Sequence, residues 1–231
     1  MDDKKVNIFK TYFNDDRGFG KNKHLAIELL EKTIQMLDEF NIDYMLISGT
    51  LLGYIRHNDF IPWDDDIDLL VSPTILDKLP AILEKYNNDS LTFLKFDNYL
   101  LKVCLKNNTN IITRKSINEK LINSKDVYTW PFIDLFIFNY KHDNKCMGFF
   151  KKTWDINYFF PLKKINFLTI KNVSIPNNPY YFLKYNYSPD YMTNLKSSSW
   201  DHKSENELPK VEEMTMDDYN KIKQSIFIFM K

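Results

Sequence analysis

Trp63-Asp64-Asp65-Asp66-Ile67-Asp68-Leu69-Leu70-Val71 is the stretch on which the reading of this chain turns. Ile67 to Val71 is an apolar run of strand length, entered directly from a cluster of acids. Side chains alternate faces along a strand, so Asp66 and Asp68 point the same way, one pleat apart. Two carboxylates on one face repel each other unless a cation sits between them, and Mg²⁺ prefers such oxygen ligands. The apolar flanks imply partial burial, which raises the cost of leaving these charges unpaired. A solvated acidic loop is the bland alternative, but loops rarely run straight into an apolar strand. A calcium loop would need Gly and Glu where this chain has Leu69 and Ile75, so that reading fails.

Working outward, Ser48-Gly49-Thr50 lies between a short apolar strand, Tyr44 to Ile47, and a helix expected over Leu51 to Arg56. Such a turn offers backbone N–H groups and the positive end of a helix to a phosphate, and Gly49 permits close approach. Before it, Ala26, Ile27, Leu30, Ile34 and Leu37 recur at helical spacing, predicting an amphipathic helix over 22–40. After the acidic strand, Ser72-Pro73 starts a helix to about Tyr86, with a kink or break expected at Pro80. Strand-like runs follow at 91–96, 99–106 and 110–113, with Asp97-Asn98 and Asn107-Asn108 as turns. Phe132 to Phe138 is a further apolar strand broken by one acid, Asp134, which needs a cation or a buried ion pair to be tolerated there. With Asp66 and Asp68 already calling for a metal, a third ligand from a neighbouring strand is the favoured reading, and three carboxylates can hold two Mg²⁺ ions.

These elements predict one α+β domain over 1–231, a mixed β-sheet flanked by helices. Its core spans about 22–140, and a mostly helical and irregular extension spans about 141–231. Hydrophobic residues at 44% and charged residues at 27% are ordinary globular values that exclude disorder. Lys plus Arg and Asp plus Glu both number 31, so no basic excess points to nucleic acid. Cys104 and Cys146 match no metal spacing and suggest a reducing compartment. The opening Met1 to Lys5 has no signal-peptide character and no stretch approaches the roughly 20 apolar residues of a membrane span, so a cytoplasmic location is expected.

Ser48-Gly49-Thr50-Leu51-Leu52-Gly53 through Arg56-His57, then Phe60-Ile61-Pro62-Trp63-Asp64-Asp65-Asp66-Ile67-Asp68, resembles the signature of LicD/fukutin-related proteins. Trp130-Pro131-Phe132-Ile133-Asp134-Leu135-Phe136 is similar to the family's later segment that supplies a third acid. Leu183 to Thr193 matches its C-terminal motif less well, departing from it at Asn186 and Asn194-Leu195. The resemblance implies a nucleotidyltransferase-like sheet and transfer of a phosphocholine or phospho-alditol group from a CDP-activated donor to a glycan or lipid-linked glycan. It implies that Asp66, Asp68 and Asp134 hold Mg²⁺ or Mn²⁺, with Asp64 as a lesser ligand. Asp134 would also take the proton of the attacking hydroxyl, and Ser48, Gly49 and Thr50 would hold donor phosphates.

Around these, Arg56 suits either the donor pyrophosphate or a pairing with Asp64 or Asp65. His57 reads as a loop hydrogen-bonder, and Pro62 and Trp63 as fixing the approach to the acidic strand. Lys102 and Lys106 share a strand face and suit donor phosphates or a solvated edge, with Cys104 an inert thiol beside them. Phe149-Phe150-Lys151-Lys152-Thr153-Trp154 and Tyr158-Phe159-Phe160 suit core packing, a sugar platform or peripheral membrane contact. Ile226 to Met230 is too short to span a membrane and is expected to dock on the domain.

Overall fold

The computed structural model describes residues 8, 11–14, 16–86, 90–95, 99–109, 111–113, 127–141, 145–147, 153–208 and 211–229. The Asp97-Asn98 turn, the 149–152 aromatic and lysine stretch, Met1 to Lys5 and Met230 lie outside the described residues, as do the side chains of Cys146 and of 227–229.

Helix α1, Lys23–Glu39, buries Ala26, Leu29, Leu30, Ile34, Met36 and Leu37, the apolar stripe that its periodicity predicts. It stops where Asn41 takes a left-handed conformation, φ 49°, and turns the chain into β1, Tyr44–Leu46. Helix α2, Ser48–His57, follows at once and ends on left-handed Asn58. Strand β2, Ile67–Val71, comes next, and then α3, Thr74–Tyr86. Ser72 Oγ accepts from Thr74 N at 3.3 Å, so the Ser cap forms as expected. The helix runs through Pro80 without a break in its assignment.

Strands β3 (Leu91–Lys95), β4 (Leu100–Leu105), β5 (Ile111–Thr113), β6 (Val127–Thr129) and β7 (Phe132–Ile137) follow. The central sheet has the order β1-β2-β7-β4-β3. Its one parallel pairing is β2 with β7, in the register Ile67 to Ile133, Asp68 to Asp134 and Leu69 to Leu135. The other pairs are antiparallel, and β4 lies inside the sheet, not at its edge. The sheet is therefore mixed and flanked by helices, with α1 against β4 and β7 and α2 against β2. Ile67, Leu69, Leu70, Val71, Ile133 and Leu135 are wholly buried, so the acids between them interrupt a dry core.

Beyond residue 138 the mostly helical expectation is corrected. Short strands are the commoner form among the described residues: β8 (Asn139–Lys141), β9 (Lys145–Met147), β10 (Thr153–Asp155), a hairpin of β11 (Lys163–Phe167) with β12 (Ile170–Ile175), then β13 (Asn194–Lys196), β14 (Trp200–Asp201), β15 (Asn206–Glu207) and β16 (Glu213–Thr215). The physical reason is period-two alternation around a left-handed Leu168, which sends Val173 and Ile175 inward. Helices there are α4, Pro179–Asn186, and α5, Met216–Phe229.

Gly53 sits in α2 where the loop to β2 crosses closely. A Cβ there would lie 2.6 Å from the Asp59 carbonyl oxygen and 3.0 Å from Ile61 N. Gly→Ala inside a helix ordinarily gains up to about 1 kcal/mol. G53A is expected to reverse that sign and lose about 1–3 kcal/mol, because the obstacle is backbone. Urea denaturation midpoints of the two proteins check it.

Candidate functional site

The parallel register sets Asp68 beside Asp134, and the next strand sets Lys102 beside Asp134, so three charged groups form one row across β2, β7 and β4. Lys102 Nζ lies 2.7 Å from Asp134 Oδ1 and 3.1 Å from the centre of the Phe132 ring. The pair is an ion pair off the hydrogen-bond direction, for Asp134 Oδ1 accepts no hydrogen bond. Lys102 thus meets Asp134 and is buried inside the sheet, not a solvated edge residue.

Asp68 has an additional problem. Burial, then the charges of Asp66, Asp134 and Asp64, push its carboxyl well above the usual range. Burial and the charges of Asp66 and Asp65 do the same to Asp64. Asp66 is raised by burial and partly relieved by His202, and it shares a hydrogen bond with Asp64. Carboxylates at 64, 66, 68 and 134 therefore converge from two separate stretches of chain. Hard oxygen donors crowded in this way fit a divalent cation, which is what would stabilise their charged forms together.

The loop that delivers them is clamped at three points. Trp63 Nε1 donates to the Lys196 carbonyl at 3.1 Å, and Trp130 Nε1 donates to the Asp65 carbonyl at 2.7 Å. The third clamp is the Asp65 side chain. It turns away from its neighbours and accepts from His202 N at 3.0 Å, Lys203 N at 3.3 Å and His202 Nδ1 at 2.9 Å. That leaves His202 Nε2 facing Asp66 Oδ2 at 3.5 Å. Burial alone would lower the His202 pKa, but the Asp65 hydrogen bond and the charges of Asp66, Asp65 and Asp64 lift it to about 10. Asp65, Asp66 and His202 each offer an atom within 4.8 Å of the others, the geometry of a metal-binding group.

A cavity of about 370 Å³ opens over the acids. Asp64, Asp66, Asp68, Ser48, Gly49, Arg56 and Trp63 form one wall, and Tyr187, Tyr191, Lys196, Ser197 to Ser199 and His202 form the other. Burial and the charges of Asp64, Asp68 and Asp66 raise the Tyr187 phenol. A Cβ at Gly49 would lie 2.1 Å from Asp64 Oδ2, so any larger residue there displaces that carboxylate. Thr50 points inward instead, where its hydroxyl accepts from Asp68 N at 2.9 Å and ties α2 to β2. Arg56 makes no ion pair with Asp64 or Asp65 among the described residues. Its Nη1 donates to the Tyr191 carbonyl at 2.7 Å, and its Nε to His57 Nε2 at 3.0 Å. A larger cleft of about 490 Å³ between Tyr12–Lys23 and Asp59–Pro62 has one acid, Asp59, which is paired with Lys23, so the smaller cavity is where the chemistry concentrates.

Sequence reasoning finds the acids, Ser48, Gly49 and Arg56 on this cavity and misses His202 and Tyr187. Neither sits in a periodic segment, so no local spacing marks them.

Removing one crowded charge should stabilise the metal-free protein. D68N is expected to raise Tm in the presence of a chelator, by about 2–4 °C for each kcal/mol of repulsion relieved. His57 supplies a pH test. Burial, then Arg56 and Lys223, lower its pKa to about 4. The unfolded chain takes up that proton near 6.5 and the folded chain does not, so this part of the stability is lost as pH falls from about 6.5 towards 4. The difference in Tm between wild type and H57Q is expected to shrink from about pH 7 to pH 5. Using the difference cancels the opposite trend of the acids.

The family model described as "LicD/FKTN/FKRP, nucleotidyltransferase domain" matches residues 41–178, more than half of the chain. The chain is similar to an uncharacterized protein of Rickettsia prowazekii, 31% identical over 122 residues that cover 47% of this chain and 46% of that one. It is similar to the lipopolysaccharide cholinephosphotransferase LicD of Haemophilus influenzae, 44% identical over 45 residues, 20% of this chain and 17% of that one. An uncharacterized protein of Rickettsia typhi is 48% identical over 42 residues, 18% of this chain and 14% of that one. The chain spans less than half the length of each of these relatives. With its matched span holding all four converging acids, the chain belongs to the LicD/FKTN/FKRP family.

Proposed function

We propose that this chain transfers a phosphocholine or phospho-alditol group from a CDP-activated donor to a hydroxyl of a glycan or lipid-linked glycan, on a nucleotidyltransferase-type sheet. The observation that carries the reading is the register of Asp68 against Asp134, which brings an acid from a second stretch beside the three that line the cavity. Family membership and the named activity of the Haemophilus relative support the reaction class.

Asp64, Asp66 and Asp68, with Asp134 alongside, would hold Mg²⁺ or Mn²⁺. The bound cation would polarise the transferred phosphoryl group and offset the charge of the leaving phosphate. The N–H groups of Ser48 and Gly49 open α2 and face donor phosphates, where the positive helix end favours an anion. Arg56 reaches the same wall from the other end of that helix. Lys102 pairs with Asp134 and fixes the carboxylate that would accept the proton. The acceptor oxygen bonds to the phosphorus bearing the head group, and the bond from that phosphorus to the bridging oxygen breaks. CMP leaves with the electron pair, and the hydroxyl proton passes to Asp134. Positioning and charge neutralisation supply most of the rate, and no covalent protein intermediate is needed.

Release of CMP from CDP-choline, CDP-ribitol or CDP-glycerol, with a divalent cation and a glycan acceptor, tests the proposal. D134N is expected to lower the rate roughly 10²–10⁴-fold while leaving donor binding intact. Release of pyrophosphate from a nucleoside triphosphate, with no reaction of any CDP donor, would replace this reading with nucleotidyl transfer.

A further inference from the structure

His202 belongs to none of the strands that carry the acids, yet it is the most tightly oriented group on the cavity. Both of its polar faces are accounted for. Nδ1 is held at 2.9 Å by Asp65 Oδ1, and the backbone N–H groups of His202 and Lys203 hold Asp65 Oδ2 at 3.0 and 3.3 Å. The ring stands edge-on against Phe132, 5.8 Å between centres, so it cannot swing away from β7 without losing that packing. Nε2 is then left pointing at Asp66 Oδ2, 3.5 Å away. That exceeds an ordinary hydrogen bond. It lies a little beyond the span between two adjacent donor atoms on one ion, about 3.0 Å at an octahedral and 3.4 Å at a tetrahedral angle for bonds near 2.1 Å, so a small approach of the two side chains completes the pair. Asp65 is an unsuitable ligand despite its proximity, because three donors already occupy its oxygens. A carboxylate that fixes the far nitrogen of an imidazole, leaving the near one for a metal, is a recurrent arrangement around metal-bound histidine.

We propose that His202, oriented by Asp65, is a nitrogen ligand to the cation held by Asp66, the cation taking the place of the Nε2 proton, and that the site therefore prefers Mn²⁺ or another transition ion to Mg²⁺. The proposal rests on the reading above that these acids bind a cation, and it extends that reading by naming the ligand and the metal class. Mg²⁺ takes oxygen donors almost exclusively, whereas imidazole suits the first-row transition ions. A site of carboxylates alone would draw no such distinction through His202. Asp65 is a positioning residue here, acting through the imidazole.

The test uses the full chain, Mn²⁺ alone and no nucleotide. Pulsed electron paramagnetic resonance of the bound Mn²⁺ is expected to show hyperfine coupling to a directly bound nitrogen, altered when histidine is isotopically labelled. H202Q is expected to lose the coupling and to bind Mn²⁺ at least tenfold more weakly, with Mg²⁺ affinity changing much less. D65N is expected to keep the coupling while weakening Mn²⁺ binding about 10–100-fold. The spectrum is read on the unaltered chain, so a variant that fails to fold decides nothing. Mn²⁺ bound without nitrogen coupling overturns this proposal and leaves the carboxylate site and its reaction standing. Equal weakening of Mg²⁺ and Mn²⁺ in H202Q overturns the metal preference. No binding of either ion overturns both this proposal and the cation-dependent reading beneath it.

Discussion

The parallel pairing of β2 with β7 forces two carboxylates, Asp68 and Asp134, side by side in the middle of a dry sheet. Everything else about the site answers that constraint. Lys102, one strand further on, offsets the charge of Asp134 and rests on the Phe132 ring, which gives a buried ammonium a soft second contact. Among the described residues Asp68 has no ion pair of its own, and Asp66 and Asp64 add to its difficulty more than His202 relieves it. A fold that keeps such crowding gives up stability to do so. That is the usual mark of a place held for chemistry, not for packing.

Neighbouring acids in the loop before β2 do different work because successive side chains leave the chain in different directions. Asp64 and Asp66 reach the cavity, whereas Asp65 turns back and is saturated by donors from 202–203. Asp65 thereby joins the acidic loop to a segment far along the chain. Trp63 and Trp130 reinforce the connection through carbonyls of Lys196 and Asp65. Two indole donors and one buried carboxylate thus set the loop's position before any ligand arrives.

Much of this could be read from the residues. Helix α1, strand β2 and strand β7 fall where apolar period and length put them, because each is long enough to bury one continuous face. The side-by-side acids follow from a strand-period argument on Asp66 and Asp68 and from the expense of Asp134 in an apolar run. What escaped was long-range. Thr50 sits in a motif that reads as a phosphate cradle, but the side chain serves the β2 backbone. Lys102 reads as an edge lysine until the strand order is known, for nothing local says that β4 lies inside the sheet. The later strands are two to six residues each, too short for alternation to outweigh the aromatic content that suggested helices. His202 is visible only once 65 and 202 are brought together.

The cavity has two walls, and they come from different parts of the polypeptide. The acid wall, from Ser48 to Asp68, lies inside the span shared with the family, while the facing wall, from Tyr187 to His202, lies beyond its end. Under the proposed function, selectivity and reactivity would then be separable along this chain. Exchanges among the serines and tyrosines of the facing wall can reshape what is admitted without disturbing the strands that hold the charge. His202 ties the facing wall to the acids opposite, as the Lys196 and Tyr191 carbonyls tie it to Trp63 and Arg56.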